Sequence, residues 1–96
     1  MKAPVIGKIE KVLPIKQVGS RFIQEFTLVE ETGKKPKPFL IQNWGETKKE
    51  LDDMSMDERI GQKVLCDCYW NGYEYFSQKF GTQYGIRVIL VNIQNV

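Results

Sequence analysis

Histidine is absent from this chain of 96 residues. Histidine is the commonest general base and the commonest metal ligand, and it completes the Ser-His and Cys-His nucleophile pairs. Its absence argues against an enzyme, and we expect no cofactor. The acids Asp52, Asp53, Asp57 and Glu58 are expected to solvate and cap a helix, since nothing else in the sequence supports a metal site or a general-acid pair.

Cysteine is scarce, with Cys66 and Cys68 the only two. Residues i and i+2 of a strand point to one face roughly 6–7 Å apart, so a disulfide between them would strain the backbone. Two thiols also fall short of the four ligands of a structural zinc site. We expect reduced cysteines that pack in the core, with redox or metal chemistry as the alternative.

Long apolar runs are missing as well. No stretch approaches the roughly 20 residues needed to span a bilayer, and residues 1–4 lack the apolar segment of a secretory signal. We therefore expect a cytoplasmic protein without a membrane partner. The hydrophobic share of 42% is that of a globular chain, and the length leaves room for one domain, 1–96, around one core.

The charge is small and unevenly placed, with a formal net charge of +2. Residues 1–44 carry eight Lys or Arg against four acids, residues 45–61 three against six, and residues 62–96 three against two. This distribution suits a binder with one electropositive face, although ordinary surface scatter also produces it.

Aromatic residues, in contrast, are plentiful and concentrated. Trp44 ends a short apolar-polar alternation, is followed by Gly45, and has the polar Gln42 as its same-face neighbour. Seven more aromatics follow between Cys68 and Tyr84: Tyr69, Trp70, Tyr73, Tyr75, Phe76, Phe80 and Tyr84. Exposed rings on a small β-domain would stack on unpaired bases, because every base has a π-face. Packing in the core, or a subunit interface, is the alternative for each ring.

The periodicity predicts five strands and one helix. The strands are predicted at 5–18, 21–30, 39–44, 62–70 and 84–93, and the helix at 46–59, ended by Gly61 and broken near residues 54–57. Pro14 is expected to interrupt pairing in the first strand. Asn71-Gly72 is predicted to form a hairpin turn, with Gly81 as a second possible turn. This order describes the OB-fold, an all-β, five-stranded and partly open barrel with one helix between strands three and four.

The chain resembles the single-stranded-DNA-binding proteins of bacteria and their phages, in a short form. The resemblance covers nearly the whole chain and rests on residues 7–13, 24–28, 40–49, 61–64 and 84–92. It implies that Trp44 stacks on a base and that a second stacking aromatic lies at Tyr75 or Phe76. Two family features differ: Pro38 stands where the family has a tryptophan, and residues 92–96 are not an acidic tail, so recruitment of partners through a tail is not expected.

We therefore predict a protein that binds single-stranded DNA without sequence preference, in replication, recombination or repair, as a homo-oligomer (a dimer or tetramer). Rings are predicted to stack on bases and cations to pair with phosphates. The predicted nucleic-acid-binding residues are Trp44, Tyr75, Phe76, Tyr73, Phe80, Lys34, Lys35, Lys37, Arg21, Lys79 and Arg87, with Lys16 a further candidate. A protein-interaction module, whose aromatics form an interface, and an RNA-binding OB-fold remain as alternatives.

Overall fold

Six strands and one short α-helix make up the structure, a computed structural model that describes residues 2–30 and 37–96. In chain order the elements are β1 (Lys2–Val12), β2 (Lys16–Val18), β3 (Arg21–Val29), β4 (Pro38–Gly45), α1 (Lys48–Asp53), a 3₁₀ turn (Met56–Arg59), β5 (Lys63–Ser77) and β6 (Gly81–Asn95). All six strands belong to one sheet, in the order β1-β5-β6-β4-β3-β2.

The sheet closes on itself because β1 pairs with two different strands. Its first half, residues 2–8, runs antiparallel to β5, and residues 8–12 run antiparallel to β3. A register shift between Ile9 and Lys11 marks a bulge at the bend, and bulges increase local twist. The single parallel contact of the sheet, between β4 and β6, spans only two residue pairs.

Gly7 lies where β1 passes from β5 to β3. A Cβ atom built on Gly7 would collide with the carbonyl group of Val29, and Val29 is the β3 residue opposite Lys8. The obstacle is backbone, which cannot swing aside as the end of a side chain can. A side chain at position 7 would therefore push the two strands apart at the point where the sheet closes.

The core fills the interior of the closed sheet with alternate residues of its strands. Phe26, Leu28, Ile41 and Val64 have no exposed surface. The other core members are Val5, Ile9, Met56, Cys66, Cys68 and Val88. Burying one large aliphatic or aromatic side chain stabilises a fold by about 1.5–3 kcal/mol, so this alternation fixes which face of each strand points inward.

The helical segment begins directly after β4 and packs against its end. Thr47 Oγ1 accepts a hydrogen bond from Glu50 N at 3.2 Å, and the Glu50 carboxylate accepts one from Glu46 N at 3.0 Å, a reciprocal cap like a capping box. Leu51 is buried against Gly45, where an added Cβ would lie 3.1 Å from the Leu51 Cγ atom. Across the described residues, no helix is long and apolar enough to cross a membrane.

The predicted all-β OB-fold is confirmed, with six strands rather than five. The predicted first strand is two strands, β1 and β2, interrupted at residues 13–15 around Pro14 as expected, so the helix falls between the fourth and fifth strands. The observed helix α1 is shorter than the helix predicted at 46–59. The break expected near residues 54–57 lies at Met54 and Ser55, between α1 and the 3₁₀ turn.

The turn predicted at Asn71-Gly72 is wrong. Both residues lie inside β5, where Asn71 pairs with Arg87 and Gly72 with Ile86. The chain instead reverses at residues 78–80, and Gly81, with a φ of 75°, supplies the left-handed conformation that the reversal needs. The hairpin is therefore longer than the sequence pattern indicated.

Replacing Gly7 with alanine should destabilise the protein by about 1–3 kcal/mol, the usual cost of overpacking, because the new Cβ meets the Val29 backbone. Urea unfolding followed by circular dichroism measures the change. Gly72→Ala is the matched control, since the nearest atom to its Cβ is 3.9 Å away, and it should change stability little. Equal stability of the Gly7→Ala variant and the wild type would contradict the closure argument.

Candidate nucleic-acid interface

The β5–β6 hairpin extends beyond the closed sheet. Each strand has 15 residues, yet among the described residues β1 pairs with β5 only as far as Tyr69, and β4 pairs with β6 only at Val88 and Ile89. Residues 70–77 and 81–87 therefore form a two-stranded ribbon. Because side chains alternate along a strand, one ribbon face continues the outer surface of the sheet and the other continues the core.

Trp44 lies at the end of β4 on the outer surface and is partly exposed. Its indole Nε1 donates a hydrogen bond to Gln42 Oε1 at 3.2 Å, and Gln42 Nε2 lies 3.5 Å from a carboxylate oxygen of Glu25. Glu25 in turn pairs with Lys16 Nζ at 3.2 Å. These contacts cross β4, β3 and β2 and hold the indole by its edge, so that its ring face can serve for stacking.

Arg21 stacks on Trp44. Its guanidinium carbon lies 5.1 Å from the centroid of the indole ring, within the range of a cation–π contact. The same guanidinium is 3.4 Å from a carboxylate oxygen of Glu46, and both partners of this ion pair are exposed. An exposed ion pair contributes only about 0–1 kcal/mol, so the contact with Glu46 fixes the Arg21 side chain only weakly.

A second ring–guanidinium pair lies on the ribbon. The Arg87 guanidinium carbon is 4.3 Å from the centroid of the Tyr73 ring, and Tyr73 lies 5.8 Å from Tyr75, centroid to centroid. The Tyr73 ring covers Gly85, its partner in β6, where an added Cβ would come within 2.5 Å of the ring carbon Cζ. Because Gly85 has no side chain, the Tyr73 ring can lie directly against the backbone of β6.

The opposite ribbon face is exposed and carries three large apolar or aromatic side chains, together with Glu74 and Thr82, which lie opposite Tyr84 and Phe76. Phe76 is 75% exposed, Tyr84 76% and Ile86 65%. Their pairing partners place them on the same side as Trp70 and Val88, both of which belong to or pack against the core. This face, formed by Phe76, Tyr84 and Ile86 and called here the inner ribbon face, is thus the core side of the sheet continued past the end of the core.

The structure separates the predicted site residues into groups. Trp44, Arg21, Tyr73, Tyr75 and Arg87 share the outer surface, whereas Phe76 lies on the inner ribbon face. Phe80 and Lys79 are at the hairpin tip, with Lys79 Nζ 5.2 Å from the Phe80 centroid. Lys37 is exposed beside the start of β4. Lys34 and Lys35 lie outside the described residues.

The sequence analysis noted Gln42 only as a neighbour of Trp44, did not select Gly85, and did not separate Phe76 from Tyr75. Neighbours in a strand point to opposite faces, so the alternation would have separated these two rings had residues 71–77 been predicted as a continuous strand. The turn assigned to Asn71-Gly72 concealed that signal. Gly85 has no local signature, because its role depends on the tyrosine across the ladder.

Cys66 and Cys68 take no part in this surface. Both are free and buried, as the strand spacing predicted. Burial raises the pKa of Cys66 to about 12, with the nearby Cys68 and Asp67 adding to the rise, and burial raises the pKa of Cys68 to about 11, with Asp67 adding. Protonated thiols are poor nucleophiles and poor metal ligands. The described residues contain no cluster of three or more His, Cys, Asp or Glu that could hold a metal ion.

Solved structures of two other proteins share this fold over nearly the whole chain. The yeast mitochondrial single-stranded DNA binding protein Rim1, from S. cerevisiae, superposes with a TM-score of 0.80 over 100% of this chain and 94% of its own, at 9% identity. The second single-stranded DNA binding protein of Mycobacterium smegmatis, SSBb, superposes with a TM-score of 0.67 over 99% and 84%, at 14% identity. At such identities the likeness shows the fold alone.

Sequence comparisons add nothing to this structural likeness. No family model matches the chain, and no curated protein matches it.

Replacing Gly85 with alanine should lift Tyr73 off the sheet and separate it from Arg87. Tyr73 can rotate away, so the cost in stability should stay below about 1 kcal/mol. The proton resonances of the Arg87 side chain report the contact, since a ring 4.3 Å from the guanidinium carbon shifts them upfield. Gly85→Ala should move them toward random-coil values, and Gly72→Ala, on the opposite face, should not. Unchanged Arg87 resonances in Gly85→Ala would contradict the arrangement.

Proposed function

We propose that this protein binds single-stranded DNA without sequence preference, along the outer surface that runs from Trp44 to Tyr75. The observation that carries the proposal is the repeated pairing of a partly exposed ring with a guanidinium, Trp44 with Arg21 and Tyr73 with Arg87. A nucleotide offers the complementary pair, a flat base and a charged phosphate. The fold shared with two proteins named for binding single-stranded DNA supports the same function.

Stacking on Trp44 supplies the main attraction in this proposal. Base–aromatic stacking contributes roughly 1–3 kcal/mol per base, more than the 0–1 kcal/mol typical of an exposed ion pair such as Arg21–Glu46. An arriving base can therefore take the ring face, and Arg21 can turn from Glu46 to a phosphate. The hydrogen bond from Trp44 to Gln42 keeps the ring in place meanwhile.

In this proposal, the phosphates of the strand are contacted by cations that lie on the surface or beside it. Arg21, Arg87 and Lys16 lie on it, and Lys37 and Lys79 flank it; Lys34 and Lys35 are proposed to join them. Each phosphate neutralised on a single strand lowers the slope of log affinity against log salt by about 0.7. Glu25 and Glu46 oppose these contacts, so we expect a moderate dependence on salt.

The biological setting that fits such a binder is the protection of exposed single strands in replication, recombination or repair. The proposed surface holds a strand by reversible contacts and needs no general base or nucleophile, consistent with a chain that contains no histidine. We therefore propose a binding protein rather than an enzyme. RNA offers the same rings and phosphates, and competition between matched DNA and RNA strands distinguishes the two.

We further propose that the inner ribbon face joins two copies of this chain. Three large apolar side chains exposed together mark an interaction surface more often than a free one. The face continues the core side of the sheet, and a two-fold contact would set the same three side chains of a second copy against it. Among the described residues, no third strand pairs with residues 71–77 or 81–87, so these ribbon edges are also available for backbone pairing.

Replacing Trp44 with alanine should weaken the binding of single-stranded DNA. Anisotropy of a labelled thymidine strand should show at least tenfold weaker binding for Trp44→Ala, equivalent to the loss of one stacked base, with a folded domain by circular dichroism. Tryptophan fluorescence of the wild type should fall and saturate during the same titration, with a midpoint that weakens as salt rises.

Phe76→Ala is the matched aromatic control for Trp44→Ala, because it removes a ring from the inner ribbon face. Measured per protomer at a fixed oligomeric state, its affinity should stay near the wild type. Normal binding by Trp44→Ala, or no binding by the wild type at low salt and micromolar concentration, would remove the basis of the proposal.

Replacing Phe76 with aspartate should shift the protein toward monomer, since two aspartates would face each other in an apolar contact. Sedimentation equilibrium measures the dissociation constant, which should rise at least tenfold. Phe80→Asp changes a similarly exposed ring at the hairpin tip, 67% exposed against 75% for Phe76, and should have little effect. A wild type that is monomeric at all concentrations, or a Phe76→Asp variant that assembles normally, would rule out this interface.

A further inference from the structure

Tyr73 is enclosed by its neighbours on the outer face of the ribbon. The Arg87 guanidinium carbon lies over the ring, 4.3 Å from its centroid, the phenol end rests against the backbone of Gly85, and the Tyr75 centroid is 5.8 Å away. Tyr73 is only partly exposed, whereas Arg87 is exposed. A base that approaches this part of the surface therefore meets the guanidinium before it meets the Tyr73 ring.

The Arg87 guanidinium is held by the ring and not by an acid. Within residues 2–30 and 37–96 it takes part in no ion pair. Arg21, in comparison, lies farther from its ring, 5.1 Å from the Trp44 centroid, and is also paired with Glu46. No described carboxylate has to be displaced before Arg87 receives a ligand, and this distinguishes it from Arg21.

A guanidinium offers two kinds of contact at once. It is planar and more weakly hydrated than an ammonium group, so it stacks on aromatic rings, and unpaired bases stack on guanidinium planes in the same way. Its five N–H groups lie in that plane and point outward from the edge. One side of the Arg87 guanidinium lies against Tyr73. The opposite side and the edge suit a ligand that combines a flat ring with an anion, as a nucleotide does.

Tyr73 prepares Arg87 for such a contact. An arginine side chain loses rotamer freedom when a ligand fixes it, and this loss weakens binding. In the free protein the guanidinium is already placed by the Tyr73 ring, and the ring can lie there because Gly85 has no side chain. Tyr73 therefore acts through Arg87, as a positioning residue.

We infer that Arg87 stacks on one base of the bound strand, with the base on the side of the guanidinium opposite Tyr73. This contact rests on the proposed function and adds to the phosphate contact of the same side chain, because the N–H edge stays free when a base covers the plane. It also assigns Tyr73 the support of the cation, and not the contact with the base.

Arg87→Lys tests the stacking contact, because lysine keeps the positive charge and loses the plane. Anisotropy of a labelled thymidine strand of about eight nucleotides, within the 4–16 that one OB-fold covers, should show about fivefold weaker binding, near the lower end of the loss for one stacked base. The slope of log affinity against log salt should not change, since the number of neutralised phosphates is the same. Arg59→Lys, at an arginine that bonds to Met54 and Asn95 outside the proposed surface, should bind as the wild type does.

Substitutions of Tyr73 test its positioning role. Tyr73→Leu should weaken binding by up to about fivefold, the effect of losing the Arg87 contact, whereas Tyr73→Phe keeps the ring and should restore the affinity. In the Arg87→Lys background, Tyr73→Leu should cause no further loss. A further loss there would show that the base touches the ring itself and would overturn the assignment, as would normal binding by Tyr73→Leu alone.

A third measurement uses the unaltered protein. When a deoxyadenosine strand saturates it, the Cδ protons of Arg87 should shift further upfield, because the purine adds its ring current to that of Tyr73. Arg87→Lys that binds as tightly as the wild type, an equal loss in Arg59→Lys, or Cδ protons that do not move upfield overturns the stacking contact and leaves the proposed function intact. Absence of binding by the wild type at low salt overturns the proposed function itself.

Discussion

The close crossing of β1 over β3 is the constraint on which the rest of the structure depends. A carbonyl group of β3 occupies the place where any side chain at Gly7 would project, so the backbones meet at a distance that only glycine permits. That contact lets one strand serve as partner to both β5 and β3. Closure then determines which residues point inward, and the alternation of each strand assigns the outer surface to the remaining residues.

Closure also explains why the hairpin has two exposed faces with different chemistry. A closed sheet of this size uses only part of the 15 residues in β5 and in β6, and the surplus length projects as a ribbon. The alternation continues along the ribbon, so Phe76, Tyr84 and Ile86 lie on the face that continues the core side of the sheet, and Tyr73, Tyr75 and Arg87 lie on the face that continues its outer surface. Tyr75 and Phe76 are adjacent in sequence and yet belong to two proposed interfaces, one for a strand of nucleotides and one for another copy.

The sequence predicted what depends on local signals and missed what depends on strand register. Pro14 cannot donate to a ladder, and the break in the helical segment follows from weak helix formers; both features were predicted near their observed positions. The fold followed from the order of such elements. The position of the Tyr73 ring over Gly85 and the separation of Phe76 from Tyr75 depend on which residues face each other across β5 and β6. The Asn71-Gly72 pair, predicted to be a turn, was enough to hide that register, because faces alternate with every residue.

The arrangement around Trp44 argues that shape and stacking outweigh charge on this surface. A surface built for electrostatic capture would not place Glu25 in its middle and Glu46 at its edge, each paired with one of the few cations there. The acids have a structural use instead: Glu25 contacts Gln42, and Gln42 holds the indole. One row of polar contacts, from Lys16 through Glu25 and Gln42 to Trp44, thus fixes the ring that we propose to stack on a base.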